Sequence, residues 1–233
     1  MARYFLEFSK KGNIKYISHL DMQRLFKRAF KSAGIPIEYS QGYNPHPKMG
    51  FAQPLSLGYT AVQEYLEFNT KENLDLSHSI LAMREAMPQG IYISRIEPLD
   101  ISAKSLASQV TAARYSVVLP IQYRFRKDDM EELVKDYLSQ SQIIAKKKEK
   151  KSKKLVDKDI KNQIHWIKVE KTSIDQGFTD EFIKLVMELD GGSNSNLSPE
   201  QVISSFTQFS KLYLPREELE VQREKIIFSG FEI

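Results

Sequence analysis

The order of hydrophobic periods along the chain predicts an α+β fold of two tandem ferredoxin-like (β-α-β-β-α-β) units, each an antiparallel sheet with helices on one face. Three observations carry that expectation. At 233 residues the chain is long enough for two domains of roughly 100 to 150 residues. One succession of strand and helix patterns runs from Arg3 to Ile96, and a second begins at Tyr115. Between them, residues 99–113 (LDISAKSLASQVTAA) are small or polar with no strong period, as in a connector holding one short helix. The expected division is 1–98, a connector at 99–113, and 114–233.

In the first unit, Tyr4, Leu6 and Phe8 alternate with Arg3, Phe5 and Glu7, which predicts a strand over 3–8. Met22, Leu25, Phe26, Ala29, Phe30 and Ala33 then recur at helical spacing behind Ser18. Asp21 stands three residues after that serine, as in a capping box, and Gly34 follows the last apolar position. Residues 35–39 and 64–69 are strand candidates. Leu76, Ile80, Met83 and Met87 form a second helical stripe closed by Pro88 and Gly90, and 91–96 is again strand-like.

The second unit repeats the order. Tyr115, Val117, Leu119 and Ile121 alternate as a strand, and Met130, Leu133, Val134, Tyr137 and Leu138 line a helix with an acidic first turn. Strand patterns follow at 142–148 and 163–171. The stretch 179–189 is one element more than the first unit has, and it fits both periods: Phe182, Leu185, Val186 and Leu189 suit a helix, while Ile183, Leu185, Met187 and Leu189 suit a strand, which is slightly favoured. Ser198, Pro199 and Gln201 supply a cap, a first-turn proline and a capping-box glutamine for a helix with core face Val202, Phe206 and Phe209. Residues 221–228 form the last strand.

Composition limits the chemistry. The absence of cysteine excludes a disulfide framework, thiolate metal sites and a cysteine nucleophile in this chain. No HExxH, Gly-Lys-Ser/Thr phosphate loop or GxGxxG occurs. The first residues enter a strand pattern directly and no run of 18 apolar residues exists, so a soluble cytoplasmic protein without membrane contact is expected. With 34 Lys+Arg against 30 Asp+Glu, the net charge of +4 matters less than its placement.

Two basic features stand out. Arg24, Lys27, Arg28 and Lys31 fall at i, i+3, i+4 and i+7, so one helix face carries four cations with only Asp21 to offset them. Such a face suits a polyanion, whose condensed counterions are released on contact, although a merely solvated face has the same pattern. The run 146-KKKEKKSKK-154 lacks any apolar residue and fits a loop or hairpin tip in water. After the strand candidate at 35–39 lies 40-SQGYNPHPKMGFAQPLSLG-58, where a loop can reach the basic helix. Pro45 and Pro47 stiffen this segment around His46, while Tyr43, Asn44, His46 and Lys48 offer stacking, hydrogen bonding and charge. A loop of that kind suits single-stranded RNA, and it equally suits a cover over the end of a core. Of the four histidines, His19 and His46 are the pair that could meet as general acid and base. No metal site and no cofactor is expected.

The run 16–68, with S-H-L-D at 18–21, Y-S-Q-G-Y-N-P-H-P-K at 39–48, P-L-S-L-G at 54–58 and Glu64, closely resembles the N-terminal signature of the bacterial radical-SAM-linked family. The segment 151–164 resembles that family's second, weaker signature. The family is a domain of unknown function that stands alone or is attached to a cobalamin-binding radical SAM protein, and the association of its genes with ribosomal-protein and ribonuclease genes implies a role near RNA. A radical SAM cluster needs three cysteines, so any such chemistry belongs to a partner.

The leading expectation is a non-catalytic RNA-binding protein acting in RNA processing or modification. Phosphates would meet Arg24, Lys27, Arg28, Lys31 and Lys146, Lys147, Lys148, Lys150, Lys151, Lys153 and Lys154, with selective contacts from Tyr43, Asn44, His46 and Lys48. The alternatives are a substrate-presenting module for a radical SAM enzyme and a metal-independent ribonuclease using His19 and His46.

Overall fold

The computed structural model describes residues 1–119, 126–148, 154–173 and 181–230. In chain order its elements are β1 (Ala2–Lys10), α1 (His19–Ser32), β2 (Met49–Phe51), β3 (Thr60–Thr70), α2 (Leu76–Ala86), β4 (Ile91–Leu99), α3 (Leu106–Gln109), β5 (Val110–Val118), α4 (Lys127–Ser139), β6 (Ile144–Lys148), β7 (Leu155–Asp159), β8 (Ile164–Ser173), β9 (Glu181–Asp190), α5 (Pro199–Ser210) and β10 (Glu220–Phe228). The fold is mixed α+β with antiparallel pairings. Packing divides it into two units, Met1–Val110 with the residues from Arg223 onward, and Thr111–Gln222. The boundary falls inside the 99–113 segment, and the end of the chain returns to the first unit.

In the first unit β1 lies between β4 and β3, with Leu6 opposite Ile96 on one side and Leu66 on the other. β2 adds to β3 through Met49–Phe68 and Phe51–Leu66, and β10 also neighbours β3. Strand alternation then builds two cores. Tyr4, Leu6 and Phe8 join Leu66, Phe68, Ile93 and Ile96 beneath Phe26 and Phe30 of α1 and Met83 of α2. Phe5, Tyr65, Leu99, Leu106, Val110 and Ile226 pack on the opposite face. Because both faces are covered, polar residues inside these strands are conspicuous.

In the second unit β9 lies between β5 and β8, with Tyr115 opposite Met187 and Val169 opposite Leu185. β6 and β7 form a separate two-stranded hairpin in which Lys146 faces Asp157. α5 begins with the expected capping box of Ser198 and Gln201.

Local chemistry explains where the elements start and stop. The Asp21 N–H donates to Ser18 Oγ at 3.2 Å, which fixes the start of α1. Gly34, at φ +67, follows its end. The strand expected at 35–39 is replaced by two isolated bridges, Ile37 to Thr70 and Tyr39 to Pro47. Pro36 has no N–H to give a ladder, and the strand beside β3 is formed instead by 49–51. The ambiguous stretch at 179–189 is the strand β9 from Glu181 onward. β7 is a strand that the polar, charged sequence LVDKD does not announce; its pairing to β6 makes the basic run a hairpin, whose Lys150, Lys151 and Lys153 lie outside the described residues.

Gly90 closes the turn into β4 with φ +98, and its carbonyl accepts from the Lys11 N–H at 2.8 Å. A Cβ there would stand 2.6 Å from the Lys11 carbonyl oxygen, which is backbone and cannot rotate away. Gly90→Ala is therefore expected to destabilise the protein by about 1–3 kcal/mol, read as a lower midpoint in urea unfolding.

Candidate functional site

The signature stretch is a loop pinned at its base. The Lys48 N–H donates to the Glu38 carbonyl at 2.7 Å, the Ser40 N–H to the His46 carbonyl at 2.8 Å, and the His46 N–H to Ser40 Oγ at 3.0 Å. Residues 41–46 are left exposed, with the Tyr43 ring wholly in solvent and Asn44 and His46 beside it in sequence. Lys48 is different. Its ammonium is paired with the Glu38 carboxylate, so its charge holds the base of the loop.

α1 meets this loop. Lys27 Nζ lies 5.9 Å from the centre of the Tyr39 ring, a cation–π contact at the residue that bridges to Pro47. Lys27, Arg28 and Lys31 are exposed and make no ion pair among the described residues, whereas Arg24 is paired with Asp21 at 2.9 Å. The carboxyl of Asp21 is held below its usual range by hydrogen bonds from Ser18 and Arg24. The basic face and the proline-rich loop thus adjoin through Lys27 and Tyr39. In the second unit Lys146, Lys147 and Lys154 are exposed on or beside the β6–β7 hairpin, and Lys148 ends β6.

His19 and His46 share no hydrogen bond or ring contact among the described residues. His19 Nε2 lies 3.2 Å from Gln23 Nε2, and its ring meets Phe51 edge-on at 5.4 Å between centroids. Burial holds its pKa below the usual imidazole value. His46 is exposed.

A cleft of about 20 Å³ opens beside the start of α1, lined by Ser18, His19, Met22, Phe51, Lys10 and Glu64 among others. Two charged residues of its lining, Lys10 and Glu64, are buried, as is Arg223, the partner of Glu64. Lys10 is 2 % exposed, Glu64 2 % and Arg223 1 %. Arg223 grips both oxygens of Glu64 through Nε and Nη2, and it also donates to the carbonyls of Gln53 at 2.8 Å and Pro54 at 3.3 Å. One guanidinium thereby ties β10 to β3 and to the segment that follows β2. Lys10 Nζ donates to the Lys15 carbonyl at 3.3 Å. Burial lowers the pKa of this lysine, Glu64 opposes that and Arg223 adds to it.

A family model matches residues 3–199. The chain belongs to DUF2344, the family described as an uncharacterized protein conserved in bacteria. No curated protein matches this DUF2344 chain. Among solved structures it is similar to a chain in the crystal structure of a Cbf5-Nop10-Gar1 complex, with a TM-score of 0.52 and 11% identity over 96% of this chain and 48% of that one. It therefore spans about half the length of that neighbour, and the likeness is one of fold. A second likeness, to a RAMP protein binding different RNA substrates, has a TM-score of 0.22 and 10% identity over 90% of this chain and 92% of that one.

Lys10 and Arg223 are the site residues that motif reading misses. The signal for Lys10 was present: Tyr4, Leu6, Phe8 and Lys10 share one strand face, which puts a cation in register with the core. Arg223 follows Val221 at the same period in VQREKIIF, but nothing local links it to Glu64, 159 residues earlier.

Breaking the Arg223–Glu64 pair leaves a buried charge uncompensated. Arg223→Met or Glu64→Leu alone is expected to cost about 3–5 kcal/mol, while the double variant recovers most of that loss. Urea unfolding of the four proteins measures the difference.

Proposed function

We propose that the chain is an RNA-binding protein whose main contact surface is the exposed face of α1 together with the loop at 40–48. The observation that carries this reading is the contact of Lys27 with Tyr39, which makes the basic face and the loop adjoining surfaces. Lys27, Arg28 and Lys31 then meet phosphates, and Tyr43, Asn44 and His46 offer stacking and hydrogen bonding to splayed bases. Arg24, shared with Asp21, contributes less than its neighbours. Lys48 acts by holding the loop in shape. The lysines of 146–154 add a second basic element, in keeping with non-specific phosphate contacts.

The order β1-α1-β2-β3-α2-β4, with β1 between β4 and β3, supports reading the first unit as ferredoxin-like. A second reading, a module that presents substrate to a radical SAM partner, is favoured by one observation. Tyr16 and Leu57 are exposed apolar residues on segments joined by the Gly58 N–H to Lys15 carbonyl bond, as at a protein contact.

The RNA reading is tested by charge reversal on α1. Lys27→Glu with Arg28→Glu is expected to weaken single-stranded RNA binding and to flatten the dependence of log K on log salt by roughly 0.7 for each phosphate that the variant no longer neutralises. The fold is expected to survive, because the apolar stripe of α1 is untouched. Affinity and salt slope unchanged from the wild type would remove α1 from the interface.

A further inference from the structure

The first unit buries two cations, Lys10 and Arg223, with one carboxylate, Glu64, and that carboxylate is taken up at both oxygens by Arg223. Lys10 is left with less. An ammonium has three protons to donate, and the one hydrogen bond that Lys10 Nζ makes among the described residues goes to a neutral carbonyl at the long distance of 3.3 Å. No carboxylate among those residues lies within ion-pair distance of it. Glu64 attracts that ammonium while Arg223 repels it, so the buried charge is compensated only in part and gains from a further partner. Lys10 lines the cleft, so the space in front of it is where a partner would sit.

The rest of the lining has the character of an anion site. α1 runs for 14 residues and its first turn faces this cleft through Ser18 and His19. The N–H groups of His19 and Leu20 have no acceptor within the helix, and the helix dipole adds partial positive charge at that end. The opposing charges are accounted for: Glu64 is neutralised by Arg223, and Asp21 is engaged by Ser18 and Arg24. Phe8, Met22 and Phe51 supply the apolar part of the lining. At about 20 Å³ the cleft admits one anionic oxygen, with the remainder of the group at the mouth by Ser18. An internal phosphodiester also has a non-bridging oxygen to offer a cleft of this size, so the choice of a terminal group rests on charge. From the mouth, His19, Gln23 and Lys27 follow at i, i+4 and i+8 along α1 for about 12 Å, ending at the Tyr39 contact.

We propose that this cleft is a phosphate-monoester site and that, in the RNA reading on which this rests, it takes the terminal phosphate of the strand whose following nucleotides run along α1. A monoester carries up to two negative charges near neutral pH, more than an internal phosphate, which suits a buried lysine backed by a helix start.

The test compares one RNA sequence bearing a 5′-phosphate, a 3′-phosphate or hydroxyls at both ends, together with the melting of the protein in dilute inorganic phosphate against chloride at equal ionic strength. The wild type is expected to bind one phosphorylated form about tenfold or more tightly than the hydroxyl form, and to melt higher in phosphate. Lys10→Met replaces the buried charge by a side chain of similar length; it is expected to fold, to lose both effects and to bind the hydroxyl form as the wild type does. The Lys27→Glu, Arg28→Glu variant is expected to weaken all three RNAs while keeping their ratio. Equal affinity for the three ends overturns the assignment of the strand terminus and leaves the RNA reading standing. Failure of all three to bind, with Lys10-dependent protection by phosphate, overturns the RNA reading and leaves a site for a small phosphate monoester. Absence of both end preference and protection overturns the site.

Discussion

Two charges that water cannot reach organise the first unit. Glu64 on β3 and Arg223 on β10 are paired at both carboxylate oxygens, and two further guanidinium protons go to the backbone carbonyls of Gln53 and Pro54. Arginine suits this place because its planar fork serves a carboxylate and two carbonyls at once, which lysine cannot do. The pair matters less for net stability, which a hydrophobic replacement can match, than for what it fixes. It sets where the chain runs after β2, and so where Phe51 and Leu55 stand against His19 at the cleft.

From that anchor the chemistry runs outward in a graded way. Beside the pair lies Lys10, buried and thinly compensated; beyond it come the start of α1 and the half-buried His19. Further along the helix stand the exposed cations, and next to them the loop with Tyr43 and His46 in water. A rigid base with exposed tips is a sound way to bind a flexible polymer. The loop's hydrogen bonds and the Lys48–Glu38 pair lower the entropy cost of binding, while the exposed rings and cations remain available to a ligand.

Much of this was legible in the sequence, where local rules dominate. The cap at Ser18, the apolar stripe of α1, Gly34 after it, and the capping box of α5 are decided by residues within a few positions of one another. The strands that failed or surprised depend on distant partners. Residues 35–39 have strand-like composition, yet Pro36 and the competition of 49–51 for β3 leave only bridges. β7 is polar and becomes a strand because β6 pairs with it. The basic stripe and the loop were both readable, but their meeting at Lys27 and Tyr39 was not, and neither was the partner of Glu64. The resemblance placed Ser18 and His19 in one motif and Glu64 apart from it; folding brings all three to one cleft. The pairing of Lys48 with Glu38, ten residues earlier, was not readable either.

That α1 and the loop at 40–48 act as one RNA-contacting surface is open to a direct trial. Ultraviolet cross-linking in cells would be followed by mass spectrometry of the peptides that carry nucleotide and by sequencing of the attached RNA. Adducts are expected on the loop peptide at Tyr43 or His46 and on the neighbouring α1 peptide, with a defined RNA enriched. Recovery of RNA with every adduct elsewhere, or no RNA above background, would contradict a shared surface and turn attention to a protein partner.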